Sequence, residues 1–317
     1  MLTYILFAIG FVFLIKGADL LVDGSSSLAH RIGVSDLIIG LTIVSLGTSA
    51  PELLVNIMAS INGAADVGIG NILGSNIANI FLILGISALI YPLLIQKSTT
   101  WKEVPLNFLS GLILLALTND IFLDGTTGNI LSRTDGIILM SFFLIFLYYT
   151  ISLARSEKNG DHKVPKHSVL KSVIMVIVGI VGLAYGGQWV VDGATTIAKN
   201  FGVSEALIGL TIVAVGTSLP ELATSAVAAY KHNTDIAIGN VVGSNIFNIF
   251  WVLGLSAVIK PLPFKADINT DIMVYILATL MLFIFAFTGK KNHVDRTNGA
   301  IFIACYIAYV VFLVIRG

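Results

Sequence analysis

This sequence predicts an all-α polytopic membrane protein: ten transmembrane helices form two inverted five-helix repeats, with broken helices 2 and 7 at the centre. Three observations predict it, namely recurring apolar runs, a long internal duplication and an uneven spread of basic residues among the loops. Of 317 residues, 56% are hydrophobic and only 11% are charged, and mean hydropathy is +0.94. Soluble domains do not have such a composition.

The apolar runs cover roughly 3–28, 37–61, 66–92, 102–119, 134–154, 169–197, 206–230, 235–259, 269–288 and 297–315. Each comes near the ~20 helical residues that cross a hydrocarbon core of about 30 Å. The first run is longer than a signal-peptide core and follows no basic cluster, so it reads as a permanent span.

Loop charges set the orientation. One side collects Arg31, Lys97, Lys102, Arg155, Lys158, Lys163, Lys166, Lys171, Lys231, Lys290, Lys291 and Arg296; the other has Arg133, Lys199, Lys260, Lys265 and Arg316. The richer side is expected in the cytoplasm of a multi-pass protein of the cell membrane, with both termini outside. The lipid bilayer is then the partner that composition implies, and no obligate protein partner is evident. Net charge is zero and no basic patch lies outside the loops, which argues against nucleic acid. Cys305 is the single cysteine, so neither a disulfide framework nor a cysteine metal site is available.

Residues 33–93 align without a gap to 202–262 at a constant offset of 169, and more than half of the aligned residues are identical. Val22-Asp23-Gly24 falls opposite Val191-Asp192-Gly193, which carries the similarity upstream. Two units of five spans, an odd number, enter the membrane from opposite sides. The expected division is a first repeat over 1–154, a polar cytoplasmic linker over 155–168 and a second repeat over 169–317. Inverted repeats around a central site are an architecture of secondary transporters.

Inside the duplication, Gly47-Thr48-Ser49-Ala50-Pro51-Glu52 and Gly216-Thr217-Ser218-Leu219-Pro220-Glu221 interrupt apolar runs near their middles. Proline lacks a backbone donor and glycine loosens the preceding turn, so each span is expected to split and to free carbonyls around Ser45, Leu46, Ala214 and Val215. Ser49 with Glu52, and Ser218 with Glu221, also have capping-box spacing. Capping returns about 1 kcal/mol, whereas a carboxylate at the bilayer centre costs several, so a cap alone does not account for the glutamates.

Asn71, Ser75 and Asn79, and their counterparts Asn240, Ser244 and Asn248, each lie on one helical face at a spacing of four. Ser75, Asn79, Ser244 and Asn248 read as ligands; Asn71 and Asn240 fit helix-to-helix hydrogen bonding as well. Together with Thr48, Ser49, Thr217 and Ser218, the glutamates and the carbonyls of Ser45 and Ala214 make an all-oxygen donor set for a hard cation such as calcium. Histidine and cysteine are absent from it, which disfavours transition metals. The five histidines fall in predicted loops without a metalloprotease pattern, which excludes an intramembrane hydrolase; no enzyme activity and no cofactor are expected. Asp23 and Asp192 read as helix-end residues with interfacial partners and stay outside the set.

The paired GTS-x-PE and GN-x-x-GSN-x-x-N motifs resemble the alpha repeats of sodium/calcium exchangers, in the calcium:cation antiporter superfamily, over 33–93 and 202–262. The resemblance implies alternate loading of calcium and sodium at one central site, with Glu52 and Glu221 as central ligands joined by Thr48, Ser49, Thr217, Ser218, Ser75 and Ser244, and with Asn79 and Asn248 flanking. It implies electrogenic exchange. Some relatives carry aspartate at the position of Asn248, and in the potassium-dependent branch an acid there is associated with potassium; its absence implies potassium independence. Two alternatives stay open at this stage: proton/calcium exchange on the same fold and, remotely, a cation channel.

Overall fold

The computed structural model describes residues 2–125, 128–157, 165–201, 214–288 and 292–316. Apolar sequence forms helices here because a bilayer offers backbone groups no hydrogen-bond partner. In order the helices are α1 (Leu2–Ile32), α2 (Asp36–Thr48), α3 (Ala50–Asn62), α4 (Ala65–Ile90), the short α5 (Lys97–Trp101), α6 (Glu103–Leu117), the short α7 (Asp120–Asp124), α8 (Arg133–Glu157), α9 (Val169–Asn200), the single turn α10 (Ala214–Gly216), α11 (Leu219–Tyr230), α12 (Thr234–Ile259), α13 (Asn269–Phe285) and α14 (Arg296–Arg316).

Seven of these are long and apolar enough to cross a bilayer, and the pair α2 and α3, bent by 46°, makes an eighth span. Two further expected spans are not among these, for separate reasons. α6 has 15 residues, about 22 Å at 1.5 Å per residue, which is shorter than the hydrocarbon core. The expected span over 206–230 lies partly outside the described residues, as does the middle of the expected linker over 155–168.

The all-α expectation needs one small amendment, because four two-residue strands pair at the membrane faces. β1 (Leu93–Leu94) pairs antiparallel with β4 (His293–Val294), and β2 (Ile130–Leu131) with β3 (Leu262–Pro263). Each pairing joins one half of the chain to the other. Further contacts sort the loops into the same two groups. Ser27 and Arg31 bond the His167 carbonyl, and Gln96 bonds Asp235 at 2.8 Å. On the opposite face Lys265 pairs with Asp66 at 2.7 Å and Asn200 bonds Tyr4 at 2.8 Å.

α4 and α12 are the centre of the molecule, with 78% of their apolar windows buried, against 33% and 28% for α1 and α9. α1 and α9 run antiparallel against each other. A Cβ on Gly17 would sit 2.9 Å from the Gly179 carbonyl oxygen and from the Leu183 nitrogen, so only glycine permits this approach. Gly10 meets Gly186, and Gly24 meets Ser172, in the same way at seven-residue intervals. The pair is a small-residue seam lying beside the bundle that carries the polar centre.

Among the described residues, three helices widen into π-helix, over Gly40–Val44, Asn79–Leu84 and Phe247–Leu253. The second and third occupy matching places in the two halves, and include Asn79 and Asn248. π turns concentrate at functional sites, since the extra residue per turn re-aims a side chain.

Candidate functional site

α3 begins at Ala50 with Pro51 in its first turn, and α11 begins at Leu219 with Pro220 in its first turn. Pro51 cannot donate to the Gly47 carbonyl, nor Pro220 to that of Gly216, which produces the breaks. The expected capping boxes do not form. Ser49 and Ser218 occupy the cap positions without side-chain caps, and the Ser49 hydroxyl instead donates to Glu221 Oε1 of the other half at 3.0 Å. Ser49 is one helical turn from Glu52, so this bond brings the two acidic helix starts together.

Both carboxylates are wholly buried, at 0% exposure. Ser75 reaches Glu52 Oε1 at 3.5 Å and lies 3.4 Å from Thr217. Symmetrically, Ser244 reaches Glu221 Oε1 at 3.4 Å and lies 3.5 Å from Thr48. Thr48 donates to Asn240 Oδ1 at 3.0 Å, and Thr217 to Asn71 Oδ1 at 3.1 Å, each across the two halves. Asn71 and Asn240 therefore aim hydroxyls, the helix-joining alternative for these residues. Asn240 also bonds the Glu221 carbonyl and Ser225.

The carbonyl expectations divide. The Ser45 carbonyl is not unpaired: it accepts the Ser49 N–H at 3.0 Å and the Thr48 hydroxyl at 3.3 Å. Nor is that of Val215, which accepts the Ser218 N–H at 3.1 Å. This tight turn diverts the Ser218 N–H from Ala214, whose carbonyl thus lacks the partner that Ser45 has. The break tightens after α10 and remains α-like after α2, so the same motif exposes different oxygens in the two halves.

Asn76 and Asn245 were not singled out from sequence, although both stand inside the GSN motifs. Their side chains cross between α4 and α12. Asn76 Nδ2 bonds the Asn245 carbonyl at 3.2 Å, and Asn245 Nδ2 the Asn76 carbonyl at 3.3 Å. Their own Oδ1 atoms accept from Asn248 Nδ2 at 3.0 Å and Asn79 Nδ2 at 2.9 Å. The amide nitrogens of Asn79 and Asn248 are thereby held away, and their Oδ1 atoms are left buried without a partner. The signal available in the sequence was that GSN is identical in both copies.

Beside those two Oδ1 atoms, Glu52 Oε2, Glu221 Oε2 and Ser218 Oγ are also buried and lack a hydrogen-bond partner. Orphaned buried acceptors are costly, and these five are all oxygens, two of them on the carboxylates themselves. A hard divalent ion, which takes six to eight oxygens in flexible geometry, suits that set. Among the described residues, no cluster of three or more metal-binding His, Cys, Asp or Glu side chains occurs, so the site has two acids and otherwise neutral oxygens.

A cavity of about 360 Å³ reaches this region between α3, α9 and α11, lined by Pro51, Val55, Gln188, Asp192, Thr217 and Pro220 among others. Asp192 accepts Gln188 Nε2 at 2.8 Å within α9, whereas Asp23 pairs at 2.9 Å with Lys231 at the end of α11, across helices. Thr48, Ser49, Ser75, Thr217 and Ser244 are linked to the glutamates or to one another by hydrogen bonds, and Ser45, Ser218, Asn79 and Asn248 each stand within about one helical turn of one of them in sequence. The fourth expected span holds a buried acid that sequence reading passed over: Glu103 accepts a hydrogen bond from the Tyr149 hydroxyl, away from the centre.

The sequence pattern of the family described as sodium/calcium exchanger protein matches residues 2–152 and 171–315. The chain is similar to inner membrane protein YrbG of Escherichia coli, with 36% identity over 89% of each chain. It is 31% identical to sodium/calcium exchanger MaX1 of Methanosarcina acetivorans over 98% of each chain. Its fold superposes on solved structures of the sodium-calcium exchanger NCX_Mj, one of them soaked with Na+ and Ca2+, with a TM-score of 0.84, 34% identity and 98% coverage of both chains.

Proposed function

Because this chain belongs to the sodium/calcium exchanger family, we propose that it exchanges sodium for calcium across the membrane at one central site by alternating access. The observation that carries this reading is the convergence of Glu52 and Glu221, each fully buried with an unpartnered oxygen. An uncompensated pair of buried carboxylates is unfavourable, and one divalent ion or more than one sodium ion cancels that charge. Occupied states therefore cross the sealed intermediate more readily than the empty one, which makes exchange obligatory.

In this reading the chain has ten spans. α2 with α3 is the second, α6 the fourth, and α11 completes the seventh. The repeats over 1–154 and 169–317 are inverted, and the two sorted groups of loop contacts support that arrangement. The face bearing Arg31, Lys97 and Lys231 is cytoplasmic by the positive-inside rule, with both termini outside.

Glu52 and Glu221 are the central ligands. Thr48, Ser49, Ser75, Thr217, Ser218 and Ser244 supply hydroxyls, and Asn79 and Asn248 present the amide oxygens that Asn245 and Asn76 hold in place. The Ala214 carbonyl adds a main-chain oxygen; that of Ser45 joins when Thr48 turns from it towards an ion. Sodium and calcium compete for overlapping oxygens. The glycine-seamed pair α1 and α9 slides as a unit along the bundle, opening the site to alternate faces. More than two sodium ions move per calcium, so each cycle carries charge, at about 2.3 kcal/mol per charge per 100 mV. No acid stands at Asn248, and potassium is not required.

Purified protein in liposomes tests this. An outward sodium gradient at equal pH is expected to drive calcium uptake, with or without potassium. Uptake that needs a pH difference and ignores sodium identifies proton exchange instead, and calcium flux without any counter-ion identifies a channel.

A further inference from the structure

The duplicated halves agree closely at the centre and disagree at one pair of helix ends. Lys231, just past the end of α11, places its ammonium 2.5 Å from Asp19 and 2.9 Å from Asp23 of α1, and bonds the Asp19 carbonyl at 3.3 Å. At the offset of 169 that relates the repeats, the counterparts of Asp19, Asp23 and Lys231 are Gln188, Asp192 and Asn62. Among the described residues, the Gln188 side chain donates to Asp192 within α9, and Asn62 has no charge to offer. One face has a cation bridging two acids across helices, and at the matching positions of the opposite face the described residues Gln188, Asp192 and Asn62 make no such bridge.

We propose that Lys231 with Asp19 and Asp23 is a one-sided latch that holds α1 against α11 and biases the protein towards the state open on the Asp192 face. The inference rests on the alternating-access reading, because it requires α1 to move along α11. Asp19 and Asp23 are one helical turn apart, about 5–6 Å along the axis. A slide of α1 by one turn in either direction leaves Lys231 facing at most one of them. Access in this structure agrees with a closed latch: the cavity touching Thr217, Pro51 and Pro220 contains Asp192. The larger cavity beside Lys231, about 580 Å³, is lined by Asp23, His30, Asp36 and Gln96 among others and by none of the central oxygen donors.

A single half-exposed ion pair is weak. Here one ammonium serves two carboxylates and a carbonyl, with side chains 25% exposed for Lys231, 31% for Asp23 and 43% for Asp19, and the described residues at the matching positions of the other face offer no cation to replace it. A shift of several-fold in the ratio of the two states is the expected scale.

Hydrogen–deuterium exchange on the full chain in lipid nanodiscs at saturating sodium tests the latch. Replacing Lys231 by the residue of the other repeat, Lys231→Asn, is expected to speed amide exchange in 222–230 several-fold and to slow it in 53–62, while Lys231→Arg behaves as the unsubstituted chain. Unchanged rates in both segments, or faster exchange in both, overturn the proposal, since general loosening lacks the reciprocal change. The readout does not depend on ion flux. A reciprocal shift in a protein without sodium-driven calcium uptake sinks the transport reading alone, and sodium-driven uptake without the shift sinks the latch alone.

Discussion

The two broken helices carry the same motif but make different contacts. After α2, the Ser49 hydroxyl donates to Glu221 and its N–H returns to Ser45; after α10, the Ser218 hydroxyl has no partner and its N–H tightens onto Val215. Sequence identity between repeats therefore does not impose identical states on them. An inverted pair that must open alternately to two faces is asymmetric in any one state, because one repeat has to occupy the conformation that the other takes later.

The largest expected effect breaks the feature the two halves share. Glu52→Gln or Glu221→Gln leaves the partner acid without half of the charge that captures an ion. Disrupting one member of such a buried charge arrangement costs about 3–5 kcal/mol, which at 1.4 kcal/mol per decade is about a hundredfold or more in sodium-driven calcium uptake. Isotope flux into liposomes, with insertion checked by size-exclusion chromatography, measures it.

The next prediction sharpens the difference between the halves. In ion-free protein, Ser49→Ala removes a bond to a carboxylate worth about 1.5–3 kcal/mol and is expected to lower unfolding stability by about that much. Ser218→Ala removes a hydroxyl with no partner in this state and is expected to cost distinctly less. Equal losses, read from thermal melts of the two variants in detergent without calcium or sodium, contradict the asymmetry.

Asn76 and Asn245 return to symmetry, since each bonds the other's carbonyl and orients the other half's amide. Asn76→Ala and Asn245→Ala are each expected to lower unfolding stability by about 1–3 kcal/mol, through unpaired buried groups, and by similar amounts. Thermal melts in detergent compare them. The last contrast is in the backbone, between Gly17 and Gly70. Gly17→Ala drives a Cβ against the backbone of α9, whereas Gly70 has nothing within 4 Å; the first is expected to lower the melting temperature and the second to leave it unchanged or slightly raised.

Much of this was legible in the residues. Apolar runs located the long helices to within a few residues, because hydrocarbon thickness fixes their length. The acids were legible because no ordinary membrane contact explains a glutamate in mid-span. Other features depend on packing that a single chain does not announce. The π turns that include Asn79 and Asn248 have the local sequence of ordinary apolar helix. The carbonyl expectation failed at Ser45 and Val215 because proline predicts a break without saying how the turn before it tightens. Asn76 looked like one more polar residue of a motif until its partner across the fold was visible. Lys231 was counted only as a loop charge, and its acids, Asp19 and Asp23, lie more than two hundred residues away in sequence.

The central claim is that Glu52 and Glu221 meet around a captured cation. An anomalous-scattering map from crystals soaked in calcium tests it most directly. The account predicts one strong site within about 2.3–2.6 Å of oxygens from both glutamates, lost when sodium replaces calcium in the soak. Calcium held elsewhere, or by one glutamate with the other unengaged, contradicts it.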